Sequence, residues 1–337
     1  MTPIQSASVP IQSVTNELSP EPLPEPSPEL SIIVPLYCEE SNVDPLFKRL
    51  ETVACDLGVT YEIVCVDDGS QDTTLLQLIK HHRRNPAIKV VALARNFGKE
   101  LALTAGLDYS QGQAVVPIDA DLQDPPEYIQ QLLEKWREGY DVVYAKRRNR
   151  SGETWFKKFS ANGFYRVIGS MSQIPIPQDT GDFRLMDRRV VDALKQLPER
   201  TRFMKGLFAW VGYKQTFIVY DRDARHSGNT KWNYWKLWNF AIDGIVSFSS
   251  TPLRVWGYLG VMISALSFIY ASFLIIRTLI LGIDVPGYAS LMVAILFLGG
   301  VQLVSLGIIG EYLGRVYEEV KQRPLYLVRE FYGEKAK

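Results

Sequence analysis

Apolar residues in this chain fall into short unbroken runs separated by stretches of helical period. Leu30–Leu36, Tyr61–Asp67, Ile88–Ala94, Ala114–Asp119 and Asp141–Lys146 read as strands. Asn42–Leu57, a stretch ending near Arg84, Lys99–Tyr109 and Pro126–Glu138 read as the helices between them. Strands alternating with helices of about ten to fifteen residues predict an α/β domain with a mainly parallel sheet. Continuous apolar runs suit strands covered on both faces. In such sheets ligands gather beyond the carboxyl ends of the strands. The polar clusters Asp67-Asp68-Gly69-Ser70, Arg95-Asn96 and Asp119-Ala120-Asp121 fall there.

The last third has a different pattern. Trp256–Ile276 and Tyr288–Gly310 contain no Asp, Glu, Lys, or Arg, and each reaches the roughly 20 apolar residues needed to cross about 30 Å of hydrocarbon. Asp284-Val285-Pro286-Gly287 predicts a tight turn between them. That turn lacks Lys and Arg, whereas Lys231, Lys236 and Arg254 precede the first run and Arg315, Lys321 and Arg323 follow the second. The charge asymmetry predicts an integral inner-membrane protein with two spans, its catalytic domain and both termini in the cytoplasm. Arg277, at the outer end of the first run, can snorkel or pair in an oligomer. Trp232, Trp235, Trp238, Ile242, Ile245 and Val246 form a stripe that fits either a core-facing helix or, beside Lys231 and Lys236, an interfacial one.

Composition explains why the average hides this division. The chain has 337 residues, with 37 basic and 37 acidic side chains. Its mean hydropathy of -0.04 blends a polar front with an apolar rear. Charge balance argues against a nucleic-acid partner. Cys38, Cys55 and Cys65 have no metal-ligand spacing and read as packing residues. Residues 1–29, rich in Pro, Ser and Glu, read as a disordered tail. The expected organisation is a catalytic domain over 30–230, interfacial amphipathic helices over 231–254, a transmembrane hairpin over 255–312 and a cytoplasmic C-terminal tail over 313–337.

Asp119-Ala120-Asp121-Leu122-Gln123-Asp124 is the sharpest candidate site. Two carboxylates one residue apart at a strand end can both reach Mg²⁺ or Mn²⁺, with the Gln123 amide oxygen as a third ligand; such an ion stabilises a diphosphate leaving group. Taken alone, the same residues suit a structural acidic loop. Asp67 and Asp68 can accept from a base N–H or serve as a cap-and-turn cluster. Pro35-Leu36-Tyr37-Cys38-Glu39-Glu40 puts an aromatic and a carboxylate on the same rim. Arg95 and Lys99 bring cations to a helix N-terminus that can face phosphate. Ala145–Arg150 reads as a basic loop, either simply solvated or drawn to anionic lipid.

In this order, followed by two apolar runs, these motifs resemble the GT-A glycosyltransferases of family 2. The likeness is specifically to the polyprenyl-phosphate glycosyltransferases of bactoprenol-glucosyltransferase and dolichol-phosphate-mannose-synthase type. Val34-Pro35-Leu36-Tyr37-Cys38-Glu39-Glu40, Val66–Ser70, Ala94–Lys99, Asp119–Glu127, Gly181–Arg188, Arg225–Lys231 and Gly310–Arg315 carry the resemblance, over roughly Leu30 to Tyr326. It implies a Rossmann-like GT-A fold in which Pro35, Tyr37, Glu39, Asp67 and Asp68 hold the nucleotide base and ribose. Asp119, Asp121 and Gln123 would then bind the metal and donor diphosphate, and Arg225 and Lys231 close over the donor. Arg147, with Lys157 or Lys158 and Ser160, would receive the lipid phosphate.

The implied reaction is inverting transfer of one sugar, best matched to glucose from UDP-glucose, onto undecaprenyl phosphate. An anionic acceptor needs no strong general base, so Asp182 orients a hydroxyl or the acceptor, or else caps a turn. GDP-mannose, UDP-N-acetylglucosamine or a modified arabinose are rival donors, and a non-catalytic membrane scaffold is the rival from another class. Gly299, Gly300, Ser305, Gly307 and Gly310 would permit close helix packing in a homo-oligomer.

Overall fold

The computed structural model describes residues 27–148, 180–197, 199–200, 202, 204–221, 251–281 and 287–334. Its strands are β1 (Leu30–Leu36), β2 (Tyr61–Asp67), β3 (Ile88–Leu93), β4 (Ala114–Pro117), β5 (Val142–Arg147), β6 (Thr180–Asp187), β7 (Gln215–Tyr220) and β8 (Val328–Tyr332). The helices are α1 (Glu40–Leu57), α2 (Thr74–Arg84), α3 (Lys99–Tyr109), α4 (Ile129–Arg137), α5 (Arg188–Lys195), α6 (Met204–Trp210), α7 (Thr251–Leu281) and α8 (Tyr288–Lys321).

The strands form one sheet in the order β7-β5-β6-β4-β1-β2-β3-β8. Its centre, β4-β1-β2-β3, is parallel, as expected of buried apolar runs joined by helices. The whole sheet is mixed but mainly parallel, as expected, with only β6 and β8 among the described strands running against the others. β6 runs antiparallel to β4 and β5, and β8 antiparallel to β3. The β5–β7 pair is parallel.

Alternation along the strands builds two cores. Ile32, Val34 and Leu36 of β1 face Leu46, Phe47 and Leu50 of α1, together with Ile129, Leu132 and Leu133 of α4. Ile33 of the same strand faces the opposite way, into a layer with Ala102, Leu103 and Ala105 of α3 and with α5 and α6. α3 lies so close to β1 that a Cβ on Gly106 would come 2.2 Å from Ile33 Cγ2.

Both expected apolar runs are helical. Among the described residues one stretch, Phe297–Lys321 with mean hydropathy 1.4, is long and apolar enough to cross a membrane; the apolar stretch Val255–Tyr270 of α7 is shorter. Both helices leave large apolar side chains outside, including Phe268, Leu279, Leu303 and Leu306. Beyond α8 the chain returns to the sheet as β8, within the segment expected to be a tail.

Candidate active site

The carboxyl ends of β1 to β4 are laced together before any ligand is considered. Asp68 N–H donates to Leu36 O at 2.8 Å. Cys38 N–H donates to Ser70 Oγ and Glu39 N–H to Thr74 Oγ1, each at 2.9 Å. The two Asp68 oxygens accept from the backbone of Phe97 and Gly98 at 2.7 and 2.9 Å, just ahead of α3. Asp67 accepts from Ser70 N–H at 3.3 Å. Gly69 is what allows the β2 and β3 loops to meet: its φ is +70°, and a Cβ there would come 2.5 Å from the Arg95 carbonyl carbon.

Both aspartates are buried. Burial raises both carboxyls above the usual range, tempered at Asp67 by the Ser70 bonds and the charge of Arg329 on β8, and at Asp68 by the Phe97 and Gly98 amides. Pro35, Tyr37 and Glu39 stand half-buried along the same rim. Arg95 is exposed, its guanidinium 4.2 Å from the centre of the Phe97 ring.

β4 ends at Pro117, and the acidic loop follows. Ala120 and Leu122 are buried, while Asp119, Asp121 and Gln123 between them are half-buried. Leu122 adopts φ +60°, rare for a side chain branched at Cγ, and this turn keeps its side chain in the core. Alternate burial thus leaves the three oxygen donors of the motif outside the core. Asp121 Oδ1 accepts from Gln123 N–H at 3.2 Å.

Lys99, the first residue of α3, ties this loop to β6. Its ammonium lies 2.7 Å from Asp119 Oδ1 and 2.6 Å from Asp182 Oδ2, with a further bond of 2.9 Å to Asp119 Oδ2. The Lys99 side chain is partly exposed; the partial loss of water around it works against its charge, but Asp182 and Asp119 outweigh that and hold the ammonium above the usual lysine range. Asp182 lies within β6 rather than capping a turn, and that part of the strand is held by Arg184, which donates to Gly181 O at 2.8 Å and lies 4.0 Å from the centre of the Phe208 ring. Burial pulls the Arg184 guanidinium down to about 10, opposed by Asp182 and Glu100.

Arg147, at the end of β5, reaches the same neighbourhood. A Cβ on Gly181 would lie 3.5 Å from its Nη2. The structure thus brings Lys99, Asp119 and Asp182 into contact and places Arg147 beside Gly181. Lys157, Lys158, Ser160, Arg225 and Lys231, like the tryptophan stripe of 232–238, lie outside the described residues. Asp124 and Arg184 lie within motifs legible in the sequence, which assigns them no role of their own, and Tyr220 lies outside every motif; the strand-like alternation of Gln215–Tyr220 is the available signal for it.

A mixed α/β sheet with an acidic loop beyond β4, and a lysine that joins Asp119 of that loop to Asp182 of β6, places the candidate ligand site at the carboxyl rim of the sheet. Comparison with known proteins makes this specific. Residues 31–195 match the glycosyl transferase family 2 domain, and residues 251–316 match the GtrB C-terminal hairpin. An uncharacterized glycosyltransferase of Synechocystis sp. is 70% identical over 305 residues, 90% of this chain and 96% of that one. The uncharacterized glycosyltransferase YkcC of Bacillus subtilis is 47% identical over 90% of this chain and 94% of its own. The SfII prophage-derived bactoprenol glucosyl transferase of Shigella flexneri is 46% identical over 89% of this chain and 97% of its own. The chain belongs to glycosyltransferase family 2, and it is a glycosyltransferase.

Proposed function

We propose that the protein transfers one sugar, glucose from UDP-glucose, to a polyprenyl phosphate such as undecaprenyl phosphate, with inversion, at the cytoplasmic face of a membrane. The observation that carries the reading is the Lys99–Asp119–Asp182 cluster at the carboxyl rim of the sheet, with Arg147 beside it. The name of the Shigella relative supports the acceptor and the sugar.

Both Asp119 oxygens meet the Lys99 ammonium, with which a divalent ion would share them, and carboxylate with amide oxygen is the donor chemistry that Mg²⁺ and Mn²⁺ take. Asp119, Asp121 and Gln123 are the residues that would hold either ion. Bound there, it would neutralise the departing diphosphate. The chain's own contribution is mostly positioning. Tyr37 and Glu39 line the base and ribose side. Asp67 and Asp68, both buried, hold the loops on which that side is built. The acceptor phosphate, anionic at neutral pH, attacks the anomeric carbon as the bond to the diphosphate breaks. Arg147, with Lys157 or Lys158 and Ser160, holds that phosphate. Arg225 and Lys231 close over the donor. Asp182, ion-paired with Lys99, orients rather than accepts a proton.

Two spans, α7 and α8, anchor this unit, since both present apolar side chains outward in quantities that water does not favour. The reading places both termini in the cytoplasm. A Cβ built on Gly299, Gly300, Gly307 or Gly310 meets nothing within 4 Å, which leaves that stripe of α8 open to a second copy.

The test is transfer by the purified full-length protein, given undecaprenyl phosphate, Mg²⁺ or Mn²⁺ and a panel of labelled nucleotide sugars. Label is expected in the lipid from UDP-glucose, lost with EDTA and reduced at least about 100-fold in Asp121→Ala. Label from GDP-mannose, UDP-N-acetylglucosamine or an arabinose donor instead would move the donor assignment. Failure with every donor, despite nucleotide binding, would favour a non-catalytic scaffold.

A further inference from the structure

Tyr220 ends β7 with its whole side chain buried, although its ring carries a polar tip. The hydroxyl donates to Asp124 Oδ1 at 2.6 Å, and Arg147 Nε donates to the same hydroxyl at 3.4 Å. Tyr128 and Phe183 meet the ring edge-on, at centroid distances of 5.7 and 5.9 Å. Three parts of the site therefore converge on one phenol. Asp124 closes the acidic loop, Arg147 ends β5, and Phe183 follows Asp182 on β6.

The arrangement leaves the phenol little choice of orientation. Two aromatic edges fix its plane, and Asp124, itself buried, takes its proton. The lone pairs of the hydroxyl are then available to a donor, and Arg147 is the donor at hand. Ordinary packing does not require this. A phenylalanine would fill the same space beside Phe183 and Ile218, whereas a buried hydroxyl and carboxylate must both be stripped of water. Burial and then the Asp124 carboxylate push the phenol above its usual range, so it remains a neutral donor to Asp124 at any pH at which the protein works.

We propose that Asp124 and Tyr220 are positioning residues for Arg147, forming a buried strut that sets the guanidinium beside Gly181 and couples its place to that of the acidic loop. The function assigned to Arg147 rests on the reading given above, in which it meets the acceptor phosphate. The strut makes the donor side and the acceptor side of the site move as one. A change in the acidic loop is transmitted through Asp124 and Tyr220 to the cation that holds the attacking group.

Tyr220→Phe keeps the ring and removes only the hydroxyl, so it isolates the strut from the packing; Asp124→Asn is the second variant. Two measurements are needed. One is the KM for polyprenyl phosphate set against the affinity for the nucleotide sugar. The other is hydrogen exchange of the Arg147 Nε–H, followed by NMR on the full-length protein without substrate and assigned by its loss in Arg147→Ala. The Arg147–Tyr220 bond is long, and its loss at the ordinary net worth of one hydrogen bond predicts a rise of about five- to tenfold in acceptor KM. In Tyr220→Phe donor affinity should stay within about twofold, because no donor contact is removed. Exchange at Nε–H should quicken in both variants, and Arg147→Ala with Tyr220→Phe should be no worse than Arg147→Ala alone. Unchanged exchange, or additive losses in the double variant, would overturn the strut. If the wild type glycosylates no polyprenyl phosphate, the acceptor reading fails by itself, and the exchange measurement still decides whether Tyr220 sets Arg147.

Discussion

Asp68 has to satisfy two demands that oppose each other. Burial raises its carboxyl above the ordinary range, while the Phe97 and Gly98 amides stabilise its charge; burial is the larger influence, so the raised value stands. The consequence for stability follows from proton counting. Between the ordinary and the raised value, the folded protein keeps a proton that the unfolded chain has released. Stability therefore falls as pH rises through that window and levels off above it. Asp68→Asn removes this titration but leaves one backbone N–H facing an amide nitrogen or no acceptor, a loss of about 1–3 kcal/mol. The difference in urea stability between wild type and Asp68→Asn should accordingly be largest at the acidic end, near the ordinary carboxyl value of about 3.9, and narrow toward neutrality. A gap that widens with pH would mean that the two amide bonds, rather than burial, set the carboxyl.

Whole elements show how far local pattern carries. β1, β2 and α3 are readable to their end residues because buried parallel strands, and a helix opening directly after Gly98, are written in consecutive residues. β6, β7 and β8 are not. Gly181–Arg188 is legible as a motif, but the pairing of this stretch with β4 and β5 depends on contacts distant in sequence. Phe217 and Val219 alternate with Ile218 and Tyr220, but four residues of alternation at a sheet edge resemble many loops. β8 follows a long apolar helix, and nothing in its own residues says that it returns to β3. The site divides in the same way: the acidic loop was legible from its spacing, whereas the Lys99 bridge from α3 to β6 exists only once the sheet has brought them together. The closest helix-to-sheet approach gives a test at this scale. Gly106→Ala places a methyl 2.2 Å from Ile33 Cγ2, so α3 must lift from β1. Overpacking of this kind costs about 1–3 kcal/mol. A lowered urea midpoint is expected together with a longer Lys99–Asp119 separation in a crystal structure of the variant; full stability would show that the helix has room to spare.

Across the whole molecule, the chain is fastened to its apolar helices at more than one point. The last turns of α8 carry Glu311, Arg315, Glu318, Glu319 and Lys321 after an uncharged run, and Glu319 Oε1 accepts from Arg200 N–H of the catalytic unit at 2.7 Å. Gln322 breaks the helix with φ +48°. A short link follows, Tyr326 donates to Asp108 at 2.7 Å, Ala94 N–H donates to Leu327 O at 2.8 Å, and β8 then seals the open edge of β3. Sealing an edge protects the sheet from pairing with strangers, but Pro or Lys residues would serve that end as well. What β8 adds is a fixed distance between α8 and the β3 side of the active-site rim. If α8 crosses a bilayer, that distance sets how far the rim stands from the lipid, and a membrane-bound acceptor phosphate can be reached only within a narrow band of heights. Inserting a flexible Gly/Ser linker of about twelve residues between Gln322 and Tyr326 should therefore leave nucleotide-sugar affinity unchanged, because β8 can still pair. Effective concentration falls as a tether slackens, so transfer to undecaprenyl phosphate in liposomes should drop about tenfold or more. Transfer to a short, water-soluble isoprenyl phosphate should be unaffected. Equal losses on both acceptors would mean that the insertion damages the catalytic unit, and no loss on either would mean that other parts of the chain set the height.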